Sequence, residues 1–304
     1  MPSAPRLSLL AFLLGTAAVT VHPAIRLMAA SANPPEITGQ NTPQVLLKTA
    51  SAKAPDIPFH EYEVQAEQDL LQLANQSRHQ AGVSPLKLDS GLSEAARAHA
   101  VAMMEAQKLS HRFAGEVALP QRLAVTTNLQ LDQEGENVAL DYDALHGHQH
   151  LMLSPPHRAN LLNPAYNVIG LGVVRGGDRL YIVQDFGHAL PTYSIDEVKH
   201  RVASAVDQLR RHSGLPALTR RDSRPVDDSA CSMAQADKLG TSAVQRLAKQ
   251  STVLAYTSLR PETLPRDAPP AVTGRNLRTL SVGACYAPTE TYPTGVYWIV
   301  LVLN

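Results

Sequence analysis

SPPHRANLLNPAYNVIGLG, residues Ser154 to Gly172, carries a helical pattern into a strand pattern around one tight corner. Pro155 and Pro156 stop the helix that precedes them, because a proline ring offers no N–H and crowds the previous turn. Asn163-Pro164 predicts a turn, and the apolar run from Val168 onward predicts a strand. His157 and Arg158 therefore stand at a constrained position between two regular elements, which raises the question of what they do there.

Outward from that corner the chain reads as alternating helices and strands. EVQAEQDLLQLANQSRHQAG (Glu63–Gly82) predicts a helix with Val64, Leu70, Leu73, Ala74, Ser77 and Ala81 on one face and Gly82 at its C-terminal cap. GLSEAARAHAVAMMEAQ (Gly91–Gln107), capped by Asp89 or Ser90, predicts a second, with Leu92, Ala95, Ala96, His99, Ala102 and Met103 facing inward. Shorter helices are expected over 120–125 and 143–153. NVIGLGVV (Asn167–Val174) and RLYIVQDFG (Arg179–Gly187) predict two strands joined by the RGGD turn.

After residue 190 the pattern begins again. Ser194 and Glu197 form a capping box for the helix of SIDEVKHRVASAVDQLRRHSG, whose predicted stripe is Ile195, Val198, Val202, Ala205 and Leu209. RHQAGVSPL (Arg78–Leu86) and RRHSGLPAL (Arg210–Leu218) share arginine, glycine and the final leucine at a constant offset. ARAHAVA (Ala96–Ala102) is answered by ACSMAQA (Ala230–Ala236), and the two late strands by VGACYA and GVYWIVLV. Two related units follow from this self-similarity, over 59–191 and 192–304.

Lys+Arg and Asp+Glu are 27 each in the 304 residues, so no global charge points to nucleic acid or to an anionic surface. The N-terminal apolar run of about fifteen residues after Arg6 is shorter than the roughly twenty a membrane span needs, and it reads as a signal peptide over 1–32. Residues 33–58, rich in Pro, Ala, Ser and Thr, read as a flexible linker. Cys231 and Cys285 are the two cysteines. In an exported chain an even count predicts a disulfide, and the repeat places one on a helix and one on the strand packed over it; two buried free thiols are the alternative.

Seven of the twelve histidines lie between His99 and His188. LSHRF with His111, GEN with Glu136 and SPPHRAN with His157 place imidazoles and a carboxylate on separated loops, the groups that a zinc site or an acid–base pair uses. His99, on an apolar stripe, reads as a core histidine. His146 and His150, with no nearby carboxylate in sequence, read as an exposed helix face, and Tyr181 and Phe186 as core. Ser110 and Ser154 lack the elbow of a serine hydrolase.

SH, GEN, SPPHRANLLNPAYNVIGLG and YIVQDFG, in that order, resemble the bacterial branch of the CAP superfamily, whose name joins cysteine-rich secretory, antigen 5 and pathogenesis-related 1 proteins and whose unit is also called the SCP domain. The likeness runs from Leu70 to Gly187. It implies an α+β fold: an α-β-α sandwich on a central antiparallel sheet, with a cleft lined by His111, Glu136 and His157. Arg158 and Asn160 would support the corner, Arg158 by bracing the loop and Asn160 by tying backbone groups of the turn, while Leu161 and Leu162 reach the core. Gln184 and Asp185 come late in the motif strand and are expected to contribute. Family members usually have tryptophan at the place of Leu151 and glycine at the place of Pro156. The second unit has no counterpart of SH, GEN or HR and reads as a degenerate copy that kept the scaffold.

The resulting expectation is a secreted or periplasmic protein that binds a small apolar, peptide or cell-wall-derived ligand, lipids included, in the His/Glu cleft. One alternative is a metal-assisted hydrolase, with zinc or another divalent metal on His111 and His157 and Glu136 as general base. Another is a structural or adhesion protein that meets a protein partner through its C-terminal unit.

Overall fold

The computed structural model describes residues 61–304, so the expected signal peptide and linker lie outside the described residues. Helices α1 (Val64–Gln80), α2 (Ser90–Ala106), α3 (Leu119–Thr126), α4 (Ala144–Leu153) and α5 (Pro155–Leu161) surround strands β1 (Lys87–Leu88), β2 (Gln130–Asp141), β3 (Val168–Gly176) and β4 (Arg179–Leu190). The sheet order is β1-β3-β4-β2. All long pairs are antiparallel, and only the two-residue β1 runs parallel to β3. Alternate residues of β4 divide the core: Leu180, Ile182 and Phe186 join Leu70, Leu151 and Leu161 on one side, while Tyr181 and Val183 join Ala96, Ala100 and Met103 of α2 on the other. The result is the expected α-β-α sandwich.

The local signals act largely as read. Asp89 Oδ1 accepts the Leu92 N–H, 2.9 Å, and caps α2. Gly82 follows α1 at φ +71°. The buried line of α1 is Ala66, Glu67, Leu70, Ala74 and Arg78, rotated from the expected stripe, and Val64 is exposed. Glu67 can enter because Arg97 pairs with it, Nε to Oε1 2.9 Å. Gly170 and Gly172 of the IGLG stretch let α2 lie on β3: a Cβ on Gly170 would meet Leu92 C at 2.1 Å, and one on Gly172 would meet Ala96 C at 2.2 Å.

Two expectations are corrected. The prolines of SPPHRAN end α4 and also begin α5, where Pro155 and Pro156 fill its first positions; the missing N–H of a first-turn proline has no helical partner to lose. The corner is thus a break between two helices. The GEN segment is part of a strand, with Glu136 mid-way along β2.

The second unit repeats the first. Helices α6 (Ile195–His212), α7 (Arg224–Gln235), α8 (Ser242–Ala248) and α9 (Ala268–Val272) accompany strands β5 (Thr219–Arg220), β6 (Thr252–Ser258), β7 (Thr279–Ala287) and β8 (Val296–Leu303), in sheet order β5-β7-β8-β6. Again the first, two-residue strand is parallel and the rest antiparallel. Along β8, Tyr297, Ile299, Leu301 and Leu303 pack with α6 residues, while Val296, Trp298, Val300 and Val302 pack with α7 residues. Arg78 and Arg210 do the same work in the two units. Arg78 donates to the carbonyls of Ser84, Leu161, Asn163 and Tyr166, and Arg210 to those of Pro216, Val272 and Gly274.

Cys231 and Cys285 form a disulfide with Cα atoms 5.1 Å apart, joining α7 to β7. The equivalent contact in the first unit is the close approach of Gly172 to Ala96 and Arg97. Among the described residues no helix is long and apolar enough to cross a membrane.

Candidate functional site

The site forms on the face of β2 and β4 turned toward α2 and α3. Glu136 is almost wholly buried, and both of its oxygens are engaged. Oε1 shares a hydrogen bond with His111 Nδ1, 2.8 Å, and Oε2 accepts from Arg122 Nη2. Arg122 comes from α3; its Nη1 also donates to the His111 carbonyl, 3.0 Å, and to Glu116 Oε1, 3.2 Å. Beneath this pair His99 is fully satisfied, Nδ1 against Glu116 Oε1 at 2.7 Å and Nε2 against the Ser110 carbonyl at 2.8 Å. Burial alone would raise the Glu116 carboxyl, but the Phe113 N–H and the His99 ring more than offset it and hold the group below the ordinary range. His99 is therefore the core histidine expected, and it anchors the loop that presents His111.

Asp185 stands directly opposite Glu136 in the strand register and is completely buried. Burial and then the Glu136 charge push its carboxyl well above the usual range, only partly countered by Arg122. No N–H or O–H among the described residues donates to either Asp185 oxygen. The acid form of Asp185 is thus favoured at this carboxyl pair. Gln184 points to the other face, where Asn137 Nδ2 donates to its Oε1, 3.2 Å.

His157, on α5, shares a hydrogen bond between Nδ1 and Ser154 Oγ, 2.9 Å. Burial, and then the charge of His111, lower its pKa, so the free form of this imidazole is favoured. Asn137 Nδ2 also donates to the His157 carbonyl, 3.1 Å, and Asn160 Nδ2 donates to the Glu136 carbonyl, 3.1 Å, and to Asn137 Oδ1, 3.0 Å. These bonds tie α5 to β2 at Glu136, so Asn160 links two elements where the sequence suggested a bond within one turn. Gly135 completes the seam: a Cβ there would stand 2.4 Å from the Tyr166 hydroxyl, which donates to the Glu134 carbonyl, 3.0 Å.

Several expectations fail at the residue level. Arg158 is exposed and has no hydrogen-bond or ion-pair partner among the described residues, because Arg78 already braces the carbonyls of this corner from below. Leu161 is buried, but Leu162 is only half-buried. His146 and His150 do have carboxylates, Asp143 at 2.8 Å and Asp141 at 2.6 Å, although both rings stay exposed. Arg122 was missed altogether; it lies in a short helix that bears none of the motifs.

The donor set does not suit the zinc or other divalent metal expected on His111, Glu136 and His157. Among the described residues no three His, Cys, Asp or Glu side chains are grouped to hold an ion. The physical reason is Arg122: a guanidinium on the carboxylate already supplies the positive charge a metal would bring.

The second unit lacks this chemistry by register. Gly170 pairs with Asp185, which pairs with Glu136. Gly283, which meets Val226 of α7 as Gly170 meets Leu92 of α2, pairs with Val300, which pairs with Ala255. The acid pair has become alanine and valine.

The family model for CAP, the Cysteine-rich secretory protein family, matches residues 71–186. The "Uncharacterized protein YkwD" of Bacillus subtilis (strain 168) is 30% identical over 112 residues, 36% of this chain and 43% of that protein, so the chain spans less than half the length of this relative. An extracellular protein containing a SCP domain from Bacillus anthracis str. Ames is 27% identical, with 41% of each chain covered and a TM-score of 0.38. A cysteine-rich secretory protein from Staphylococcus aureus subsp. aureus Mu50 is 21% identical, with 43% of this chain and 40% of that one covered and a TM-score of 0.34.

Proposed function

We propose, from the match of residues 71–186 to the CAP family model, that the chain is an exported binding protein whose His/Glu cleft takes a small apolar, peptide or cell-wall-derived ligand. The observation that carries this reading is the engagement of Glu136. A general base must reach the water it activates, and here Glu136 is almost wholly buried, with one oxygen directed at His111 and the other at Arg122. The metal-assisted hydrolase is disfavoured for the same reason. What the site would offer a ligand instead is two imidazoles: His111, with more than half of its side chain exposed at 59%, and His157, whose pKa feels the His111 charge. Rigidly held ring nitrogens of this kind suit hydrogen bonding to amide or carboxylate groups of a ligand.

Export is supported by the Cys231–Cys285 disulfide, a bond that persists in oxidising compartments. The N-terminal signal pattern points the same way.

The test is NMR of 15N-labelled imidazoles. Titration with a soluble muropeptide, and separately with a long-chain fatty acid, should shift the His111 and His157 ring signals saturably with one of the two probes. Unmoved signals with both would remove the ligand classes proposed, and cleavage of the muropeptide by the native protein but not by Glu136→Gln would restore the hydrolase.

A further inference from the structure

The two units do not merely follow one another; they enclose a cleft of ≈ 470 Å³ between the start of β2 and the second unit's β6 and β7–β8 loop. Its seam is polar and specific. The Leu131 N–H donates to Thr294 Oγ1, 3.3 Å, and that hydroxyl donates to the Leu131 carbonyl, 3.2 Å. Arg260 Nη2 reaches Asp132 Oδ2 at 3.0 Å, and Asp132 also holds His188. The walls are mostly apolar, with Leu131, Leu259, Tyr292, Pro293 and Val296 among them.

Glu134 breaks this pattern. It lines the cleft, is half-buried, and its carboxylate has no hydrogen-bond or ion-pair partner among the described residues. The nearest charge pairing is complete without it, since Arg260 and His188 are both taken by Asp132. Burial and then Asp132 raise its pKa, as expected of a carboxylate without a cation in apolar surroundings. Its oxygens are not among the buried polar atoms left without a partner, so the charge is open to the cleft and available to a ligand.

We propose that the inter-unit cleft is a second binding site, distinct from the His/Glu cleft, for a small molecule with an apolar body and a single cationic head that pairs with Glu134. The class follows from complementarity: the apolar walls take the body, and the unpaired carboxylate selects the sign of the head. An anionic amphiphile of equal size finds the lining Arg260 already paired with Asp132 and meets the unpaired Glu134 charge, so it is disfavoured.

The molecule supplies its own reporter. Trp298 is the single tryptophan and lies under the cleft with Tyr292, a lining residue, edge-on at 5.8 Å. Tryptophan emission of the full chain is followed during titration with octylammonium below its micelle concentration, and in parallel with octanoate. The cation should give a saturable change and bind about tenfold tighter than the anion, the difference one charge-assisted contact supplies. Glu134→Gln, which keeps the shape, should abolish that preference; Thr263→Tyr, at the rim, should weaken both ligands, and His111→Ala should leave both unchanged. Equal affinity for cation and anion in the native protein, an undiminished preference in Glu134→Gln, or loss of binding in His111→Ala would each overturn the proposal.

Discussion

Arg122 holds the candidate site together from a position that no motif marks. Its guanidinium and the Glu136 carboxylate are both nearly inaccessible, 8% and 4% exposed, and removal of one leaves the other buried with only part of its pairing, Glu136 with His111 or Arg122 with Glu116. Arg122→Ala should therefore lower the unfolding free energy by about 3 kcal/mol, as is usual for breaking a buried ion pair. The added change Glu136→Gln should recover part of that loss, which a double-mutant cycle by urea denaturation would measure. Full additivity of the two changes would show that the pair is not coupled. Asp185 makes a prediction of opposite sign. Its folded pKa is raised above the unfolded value, so its contribution to stability is present below about pH 4 and is lost as pH rises toward the folded value. Asp185→Asn mimics the protonated acid and should gain stability relative to the native chain between pH 4 and pH 7. Urea midpoints at the two pH values check this; a difference that does not change with pH would place the proton elsewhere.

At the scale of elements, the fold was legible wherever apolar period and punctuation agree. The α1 and α2 patterns, the Asp89 cap, Gly82 and the β3–β4 hairpin all follow from rules that act within a few residues. β2 was illegible for a definite reason. QLDQEGENVALD places Glu136 and Asn137 at buried positions on the two faces, and their polar groups are satisfied by α3 and α5, so no alternation of apolar and polar residues announces a strand. The site inherited the same asymmetry: His111, Glu136 and His157 were readable as residues, but the Arg122 contact that decides their chemistry joins elements the sequence does not pair. Arg78 shows how an element is held from a distance, since its four carbonyl partners lie in the β1 connection and the turn after α5. An ammonium cannot reproduce that fork. Arg78→Lys should cost about 2 kcal/mol and shift the His157 ring signal, because the α5 corner loosens. Arg210→Lys, the same change in the repeat, should cost a similar amount and leave His157 unmoved; a shift of His157 in both would mean that the corner is not braced locally.

For the molecule as a whole, the question is whether two sandwiches of one design behave as one body. Each has its own core on both faces of its sheet, and the seam at the cleft rests on a few polar contacts: Leu131 with Thr294, Asp132 with Arg260, and Gln130 with the Leu259 carbonyl at 3.5 Å. The disulfide lies wholly within the second unit, with a sequence separation of 54. By loop-closure entropy it constrains the unfolded second unit by about 4 kcal/mol. It does nothing for the first, whose equivalent helix–strand contact is closed by glycine. Reduction should therefore lower the stability of residues 192–304 while the His111–Glu136 cluster persists. Hydrogen exchange before and after reduction distinguishes the outcomes. Protection of β7 and β8 amides should fall by up to about a thousandfold, in line with 1.4 kcal/mol per factor of ten, and protection of β3 and β4 should stay. A parallel fall in β3 and β4 would show instead that the seam couples the units, and that the inter-unit cleft is part of one cooperative core.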